Sequence, residues 1–296
     1  MGARNASQRQ LPPPLAPTPH IAEVVFNLPL ERTFHYLIPQ QLAGTLRPGM
    51  RVAAPFGPRE LIGFIAQLVT ESPIRELKPI RRALDPVPVV ADERWALASW
   101  LAGYYGCSLG EALSVMVPSG LRFKGAAQTP GGEGQAGERT DGEPPARGSG
   151  PAVSLTPDQR RALQAIADAL NVRRSQTFLL HGVTGSGKTE LYLQAIARVL
   201  QQGRSAICLV PEIALTPQIT DRFRERFGDQ VAIWHSRLTA RQRAEEWRRM
   251  LDGSRRIVVG ARSAVFAPVR RLGLMILDEE HEPTYKQEDV PRYHAR

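Results

Sequence analysis

The sequence contains little that would serve a disulfide framework, a zinc site or a membrane anchor. Only two cysteines occur, Cys107 and Cys208, and they lie far apart without histidines at ligand spacing. This argues against a structural metal within these residues and indicates a reducing compartment. The first twenty residues lack the apolar stretch of a secretory signal. No run of about 18 apolar residues occurs, so we expect no membrane-spanning helix and no membrane partner.

Acidic side chains are also scarce relative to basic ones. The 29 Asp and Glu residues face 38 Lys and Arg residues, for a net charge of +9 and an isoelectric point of about 10.1. This balance is typical of proteins that bind nucleic acid or another anionic surface, although an arginine-rich proteome produces the same signature. The apolar fraction of 42% is sufficient for a sizeable core, and the length of 296 residues predicts about two domains.

Composition divides the chain into four segments. Residues 1–20 are polar and proline-rich, which predicts a disordered tail. Short β-branched runs with turn residues between them predict a small β-rich domain over 21–122, with two helices near its end. Residues 123–152 are mainly Gly, Pro, Ala, Glu and Arg and are predicted to form a flexible linker. From 153 to 296, amphipathic helices alternate with apolar strands, which predicts an α/β fold with a parallel sheet between helices.

A phosphate-binding motif opens this last segment. The stretch "GVTGSGKT" matches the P-loop pattern in full, and it follows a predicted strand, "TFLLH" (177–181), and begins a helix. The glycines allow successive backbone N–H groups to point at one anion, and the helix N-terminus adds partial positive charge. Lys188 is predicted to reach the β and γ phosphates, and Thr189 to bind Mg²⁺. The predicted ATP-binding residues of the loop are Gly182, Val183, Thr184, Gly185, Ser186, Gly187, Lys188 and Thr189.

A carboxylate pair follows the last predicted strand, "LGLMIL". Because the carboxyl ends of parallel strands meet at one edge of a sheet, Asp278 and Glu279 are expected to lie beside the P-loop. Asp278 is predicted to bind Mg²⁺, and Glu279 to orient or deprotonate the attacking water; with Lys188 they form the predicted catalytic set. No guanine-reading N-K-x-D motif follows the P-loop, and protein kinases use a different phosphate loop. An ATP-driven motor is therefore favoured over a GTPase or a kinase.

The motifs taken together resemble a known family. The segments "LTPDQ", "HGVTGSGKTE", "VPEIALTPQ", "WHSRLT", "GARSAVFAP" and "LDEEHEPTYKQE…RYHAR" occur in the order found in the primosomal protein N′ (PriA) family of bacterial replication-restart helicases. The segments "LPLERTFHYLIP" and "GMRVAAPFG" resemble the start of the same proteins. The resemblance covers about 21–122 and 153–296. It implies a 3′-end DNA-binding domain and a RecA-like superfamily 2 lobe of a 3′-to-5′ DNA helicase, which recognises stalled forks and restarts replication.

The same resemblance implies cofactors and partners. ATP and Mg²⁺ are the expected cofactors, and zinc is expected only in a part of the protein that follows Arg296. The expected partners are branched DNA and replication forks with a 3′ end, primosome proteins and the single-strand-binding protein. The expected location is the bacterial cytoplasm, in association with the nucleoid.

In the helicase lobe, the resemblance assigns Gln159 to adenine recognition, although the segment from Thr156 to Gln159 is also a good capping box. It places Thr216, Arg262 and Ser263 at the DNA-facing edge; Thr216 is equally well explained as a helix N-cap. His281 is expected to couple the nucleotide state to DNA.

The segment 283–296 resembles the aromatic-rich loop of the family. Tyr285 and Tyr293 are expected to stack on single-strand bases, and Lys286, Arg292 and Arg296 to attract phosphates. Pro291 departs from the family, where tryptophan is frequent, and this weakens the stacking hypothesis.

The resemblance maps a pocket for the terminal 3′ nucleotide onto the N-terminal domain, at Phe34, His35, Gly57 and Lys78. Phe34 would contact the base, Gly57 would allow close backbone approach, and Lys78 would pair with phosphate. His35 replaces the usual aspartate, so the pocket is expected to work differently. Phe34 is also explained as an ordinary core residue.

The resemblance further implies parts that these residues lack: a winged-helix domain before the lobe, and the rest of the motor after Arg296. An arginine from a second lobe completes the ATP site in such motors, so the 296-residue chain is expected to bind Mg·ATP and DNA with poor turnover. An alternative of another class is a non-catalytic module that binds ATP and marks 3′ ends. A third is a superfamily 2 translocase on RNA or chromatin, against which the N-terminal segments argue.

Overall fold

A computed structural model describes residues 20–118, 120–121, 154–183 and 185–296. The predicted tail up to residue 19 and the predicted linker lie outside the described residues. Within the described ranges the chain forms an antiparallel sheet, two helices and then a parallel sheet with helices. This arrangement confirms the predicted fold class.

The N-terminal sheet has five antiparallel strands in the order β2-β1-β4-β3-β5. The strands are β1 (Ile21–Phe26), β2 (Phe34–Leu37), β3 (Arg51–Phe56), β4 (Arg59–Val69) and β5 (Arg82–Ala83). The segment before β5 joins the two sides of the sheet: Leu37 N–H donates to the Lys78 carbonyl, and Arg81 N–H donates to the Ala53 carbonyl. The sheet therefore curls into a small barrel with an apolar interior.

Two helices follow the barrel, α1 (Asp92–Tyr105) and α2 (Leu109–Met116). Gly106 ends α1 in the left-handed conformation, and Ser108 caps α2 through a complete capping box with Glu111. The helix α2 approaches the barrel closely, because a Cβ at Gly110 would overlap the carbonyl oxygen of Phe26. A glycine is required at this position for the helix to pack as it does.

The C-terminal sheet has four parallel strands in the order β7-β8-β6-β9. Its elements are α3 (Pro157–Asn171), α4 (Lys188–Gln201), β6 (Ser205–Leu209), α5 (Pro217–Phe227), β7 (Val231–Trp234), α6 (Ala240–Asp252), β8 (Ile257–Gly260) and β9 (Leu272–Leu277). Short 3₁₀ turns occur at Gln40–Leu42, Glu212–Ala214, Gly228–Gln230, Arg262–Phe266 and Pro283–Tyr285. Strands β6, β7 and β8 are buried on both faces, as the continuous apolar runs predict.

The two faces of the parallel sheet have different coverings. Phe223 of α5 and Ile196 of α4 belong to the core on one face. On the other face, Trp247 of α6 shares a core with Leu113 and Met116 of α2. The helix α2 thus joins the N-terminal barrel to the lobe, and Arg94 of α1 lies over the Trp247 ring at 5.7 Å.

The predicted strand "TFLLH" does not form. None of the described residues makes a backbone ladder with 177–181, and Leu179 is 82% exposed. Its apolar composition resembled that of a buried strand, but a strand also needs a neighbour that accepts and donates hydrogen bonds. The strand β9 pairs with β6 and leaves its other edge free among the described residues, with Leu272 and Met275 exposed.

Candidate functional site

The two phosphate-site motifs meet in one cleft. A cavity of about 690 Å³ is lined by the P-loop, the start of α4 and the end of β9. Its lining includes Val183, Gly185, Ser186, Gly187, Lys188, Thr189, Asp278 and Glu279. Thr184 lies outside the described residues. Residues that are about ninety positions apart in the sequence are therefore adjacent at the carboxyl edge of the sheet.

Backbone geometry explains the glycines of the loop. Gly185 and Gly187 have φ of +79° and +83°, a region that L side chains rarely adopt. A Cβ at Gly187 would also overlap the Nε2 atom of Gln159. Gly187 is the N-cap of α4, and the first residues of α4 line the cleft, so the positive end of the helix dipole lies at the cleft.

The Lys188 side chain lies between the two motifs. Its ammonium donates to the Gly182 carbonyl at 2.7 Å and lies 3.8 Å from Glu279 Oε1. The Lys188 side chain is 19% exposed, so the cation is held inside the cleft. A phosphate group in the cleft would offer this ammonium a charged partner that is stronger than a neutral carbonyl.

Asp278 is fixed at three atoms. Its N–H donates to the Leu209 carbonyl at 2.9 Å, its carbonyl accepts from the Tyr285 hydroxyl at 2.7 Å, and its Oδ1 accepts from the Tyr192 hydroxyl at 3.0 Å. Burial raises the pKa of Tyr192 well above its usual range, and the Asp278 charge raises it further. The Tyr192 phenol therefore remains a donor at any physiological pH. Glu279 follows with a positive φ of 46°, which is uncommon outside glycine and asparagine.

These side chains fit a nucleotide with a divalent cation. Lys188 supplies a cation, Thr189 a hydroxyl, and Asp278 and Glu279 supply carboxylates, which are the oxygen ligands that a hard cation such as Mg²⁺ prefers. The P-loop backbone supplies N–H donors for phosphate. The cleft has donors and acceptors for both components.

Sequence reasoning missed one residue that supports this cleft through Asp278 and two that line it. Tyr192 lies one helical turn after Lys188, and the spacing i, i+4 could have placed the two on one helix face. Arg222 and Arg226 of α5 also line the cleft. They share the same i, i+4 spacing in "DRFRER", which could have signalled a basic face.

Gln159 joins α3 to the P-loop. Its Oε1 accepts from Thr156 N–H at 2.9 Å, which completes the predicted capping box, and its Nε2 donates to the Ser186 carbonyl at 2.7 Å. Both amide heteroatoms thus have protein partners, and the contact with the loop was not foreseen. Adenine recognition by Gln159 stays a prediction.

Most of the DNA-facing residues predicted in the lobe line a second cleft, of about 750 Å³, between α2 and the lobe. Arg262, Ser263, Tyr285, Lys286 and Tyr293 are among its lining residues. The Arg262 guanidinium donates to the carbonyls of Thr284 and Lys286, and Trp234 Nε1 donates to Ser263 Oγ at 3.2 Å.

Other predicted residues lie elsewhere. Thr216 is outside this lining and is the N-cap of α5, without a capping hydrogen bond from its side chain. Arg296 pairs with Glu280 at 2.7 Å, and His281 is exposed, 3.9 Å from Glu279. Their DNA-binding and coupling roles stay predictions.

The predicted base stacking on Tyr285 and Tyr293 does not fit the structure. The two residues are 1% and 4% exposed. Tyr285 donates its hydroxyl to the Asp278 carbonyl, and Tyr293 packs edge-on against Phe266 with 4.8 Å between ring centroids. The physical reason is that the loop folds back onto the lobe, where Arg262 lies 5.9 Å from the Tyr293 ring. Neither ring presents a face to solvent.

The predicted 3′-end pocket is not a single cluster of side chains. Phe34 packs edge-on against Phe26 and Phe56 within the barrel, at 5.6 and 5.2 Å. His35 must point to the opposite face, because neighbouring strand residues alternate, and its Nε2 lies 3.7 Å from Glu23 Oε1. Gly57 is exposed in the turn after β3 with φ of +57°, and Lys78 is exposed beside the end of β2. Phe34 is thus better described as core.

Two family models match the chain. Residues 23–118 match the 3′ DNA-binding domain (3′BD) of PriA, and residues 156–295 match the DEAD/DEAH box helicase domain. No helix among the described residues is both long and apolar enough to cross a bilayer.

The chain is also similar to replication restart proteins named PriA from several bacteria. It is 43% identical to that of Treponema pallidum (strain Nichols) over 280 residues, which cover 93% of this chain and 40% of that protein. It is 31% identical to that of Bacillus subtilis (strain 168) over 408 aligned positions, 94% of this chain and 51% of that protein. Against the Synechocystis protein it is 52% identical over 146 residues, 49% of this chain and 17% of that protein.

These matches differ in length. The chain spans two fifths to about half of the first two relatives. The 408 aligned positions exceed the 296 residues of the chain, so the B. subtilis protein has additional residues within the matched region.

Proposed function

Because this chain belongs to the PriA family of replication restart proteins and carries its 3′ DNA-binding domain and a helicase domain, we propose that it is the N-terminal part of an ATP-dependent 3′-to-5′ DNA helicase that restarts replication at stalled forks. The observation that carries the proposal is the convergence of Lys188, Asp278 and Glu279 in one cleft, beside a domain of the 3′-end-binding family. Of the three hypotheses from the sequence, the helicase and the non-catalytic module both account for the two halves of the chain, and of these two the helicase is the one that gives Glu279 a catalytic role.

In the proposed site, Lys188 and the P-loop N–H groups bind the phosphates of ATP. Thr189 and Asp278 would hold Mg²⁺, and Glu279 orients the attacking water and accepts its proton. A bound Mg²⁺ would neutralise charge that develops on the transferring phosphoryl group. Arg222 and Arg226 of α5 line the same cleft together with Glu225 and give this wall a net positive charge.

The N-terminal barrel is proposed to bind the 3′ end of DNA at a fork. The exposed Lys78 and the net charge of +9 support phosphate contacts. Primosome proteins and the single-strand-binding protein are proposed partners, and the bacterial cytoplasm, with the nucleoid, is the proposed location. These proposals depend on the family.

A polypeptide of these 296 residues is proposed to turn ATP over slowly when it is assayed by itself. The family resemblance assigns the arginine that stabilises the transferring phosphoryl group to a second lobe, and such arginines contribute about 10³–10⁵ in rate. Robust DNA-stimulated ATP hydrolysis by the purified polypeptide would contradict this. If a longer chain that contains these 296 residues binds nucleotide and forks but hydrolyses no ATP, the non-catalytic alternative is favoured.

Nucleotide binding tests the cleft directly. Lys188→Ala is expected to weaken the affinity for Mg·ATP by about 100-fold, because the ammonium is the principal cation within reach of the phosphates. Arg241→Ala removes an exposed cation of α6 and serves as the control. If calorimetry gave the two variants equal affinities for Mg·ATP, the proposed nucleotide site would be wrong.

Fork binding tests the barrel. We expect forks whose nascent strand ends in a 3′ hydroxyl to bind more tightly than forks with a 3′ phosphate, because the added charge and bulk block a terminal pocket. Lys78→Ala should weaken binding to both. Equal affinity of the wild-type chain for both termini, measured by fluorescence anisotropy, would overturn 3′-end recognition.

A further inference from the structure

Tyr192 lies behind the nucleotide cleft and contacts its lining residue Asp278, a position to which neither the family motifs nor the P-loop pattern assigns a role. It lies on α4, four residues after Lys188, and its hydroxyl donates to Asp278 Oδ1 at 3.0 Å. The side chain is half-buried and packs against the core beneath α4. One residue thus connects the helix that begins at the P-loop to the carboxylate that ends β9.

The hydrogen bond leaves the Asp278 carboxylate with one committed oxygen and one free oxygen. Backbone contacts with Leu209 and Tyr285 fix the main chain of Asp278 but leave its χ1 rotation free. The Tyr192 bond restricts that rotation. Among the described residues, no donor reaches Oδ2, which therefore remains available to a cation or its water shell. Outer contacts of this kind fix ligand orientation in metal sites.

We propose that Tyr192 is a positioning residue that orients the Asp278 carboxylate toward the divalent cation bound with ATP. This inference rests on the proposed function, because it assigns Asp278 to the cation. Tyr192 does not touch nucleotide or cation itself; it acts through Asp278. A tyrosine that serves only as packing would lose nothing when its hydroxyl is removed, because the ring fills the same volume.

The test compares Tyr192→Phe with wild type and with Tyr104→Phe, a matched control that removes the hydroxyl of a 69% exposed tyrosine on α1. Mn²⁺ is the probe, and its binding in the presence of ATP is followed by electron paramagnetic resonance. We expect Y192F to weaken Mn²⁺ binding about tenfold, the lower end for loss of an outer-shell partner. The affinity for ATP without metal should remain unchanged, and Y104F should match wild type in both measurements.

Two outcomes would count against the role of Tyr192, and a third would count against the proposed function. Unchanged Mn²⁺ affinity in Y192F overturns this role. If Y192F loses affinity for ATP equally with and without metal, Tyr192 contributes only to packing. Absence of metal-dependent ATP binding in wild type overturns the proposed function itself, which is a separate result.

A second measurement needs no ligand and applies if Y192F is unstable. Thermal unfolding is measured for Y192F in the wild-type background and in the Asp278→Ala background, and the decrease in the unfolding midpoint that Y192F causes is compared between the two. It should disappear in the Asp278→Ala background, because the hydroxyl has then lost its partner. An undiminished effect there would show that Tyr192 does not act through Asp278.

Discussion

Two aspartates, one in the barrel and one in the lobe, show how the same side chain serves different ends. Asp85 is 1% exposed, and both its oxygens accept from Arg51, at 2.7 to 3.0 Å. Arg51 in turn donates to the Leu121 carbonyl at 2.7 Å. Asp278 is half-buried at a cleft and uses only Oδ1 for a hydrogen bond within the described residues.

The difference lies in hydrogen-bond capacity. A buried carboxylate with every oxygen occupied fixes the chain but has nothing left for a ligand. A carboxylate with one unused oxygen at a cavity contributes less to stability and is available for chemistry. Substitutions in the barrel and in the lobe should therefore differ in how much they lower the free energy of unfolding.

The largest effect is expected for the barrel pair. Asp85→Ala leaves the buried Arg51 guanidinium without its counter-charge and should lower the free energy of unfolding by about 3–5 kcal/mol. Asp278→Ala should cost about 1 kcal/mol, because it leaves only the Tyr192 hydroxyl unpaired. Urea denaturation of both variants measures the two free energies of unfolding. Equal losses would contradict the proposed difference between Asp85 and Asp278.

Phe34→Ala should have the next largest effect. The partly buried ring packs against Phe26 and Phe56 at the barrel core, so its removal should cost about 2–3 kcal/mol, somewhat less than for a fully buried ring. His35→Ala, on the opposite face of β2 beside Glu23, is the comparison and should cost less, because it removes less apolar surface from the barrel core. If Phe34→Ala instead left stability intact and weakened fork binding, the ring would belong to a DNA pocket after all.

A smaller effect is expected in the loop that folds back on the lobe. Tyr285→Phe leaves the Asp278 carbonyl without its hydroxyl donor and should lower the free energy of unfolding by about 1–2 kcal/mol. Tyr104→Phe, on the exposed face of α1, should cost nothing measurable. Unchanged stability in Tyr285→Phe would indicate that the loop is open in solution and that its ring is free to stack.

The smallest effect concerns pH. Burial lowers the pKa of His235, and the positive charges of Arg237 and Arg243 add to this, against an opposing effect of Glu212. The unfolded chain then binds the proton more readily than the folded one, so stability should fall as the pH drops below about 6.5 and through the folded-state pKa. In His235→Gln this part of the pH dependence should disappear. Parallel pH profiles of the two proteins would show that His235 does not contribute.

The sequence was most informative where a pattern carries its own geometry. Apolar runs and amphipathic spacing placed β6 to β9 and α3 to α6, and the P-loop spacing predicted a phosphate cleft beside Asp278. The capping box at Thr156 was also predicted from four letters. Each of these follows from local backbone rules or from the alignment of parallel strands.

Tertiary structure alone decided what depends on distant partners. The segment 177–181 has a strand-like composition but no ladder, because no described neighbour pairs with it. The rings of Tyr285 and Tyr293 are buried because Arg262 binds the carbonyls of their loop. Phe34 and His35 are adjacent in sequence but face opposite sides of the barrel wall.

The sequence by itself therefore determined the fold class, the family and the two motifs that meet in the nucleotide cleft. It did not determine which side chains remain exposed or which oxygen of Asp278 is left free. Those properties depend on hydrogen bonds between residues far apart in the chain, such as Tyr192 with Asp278, and local patterns carry no record of them.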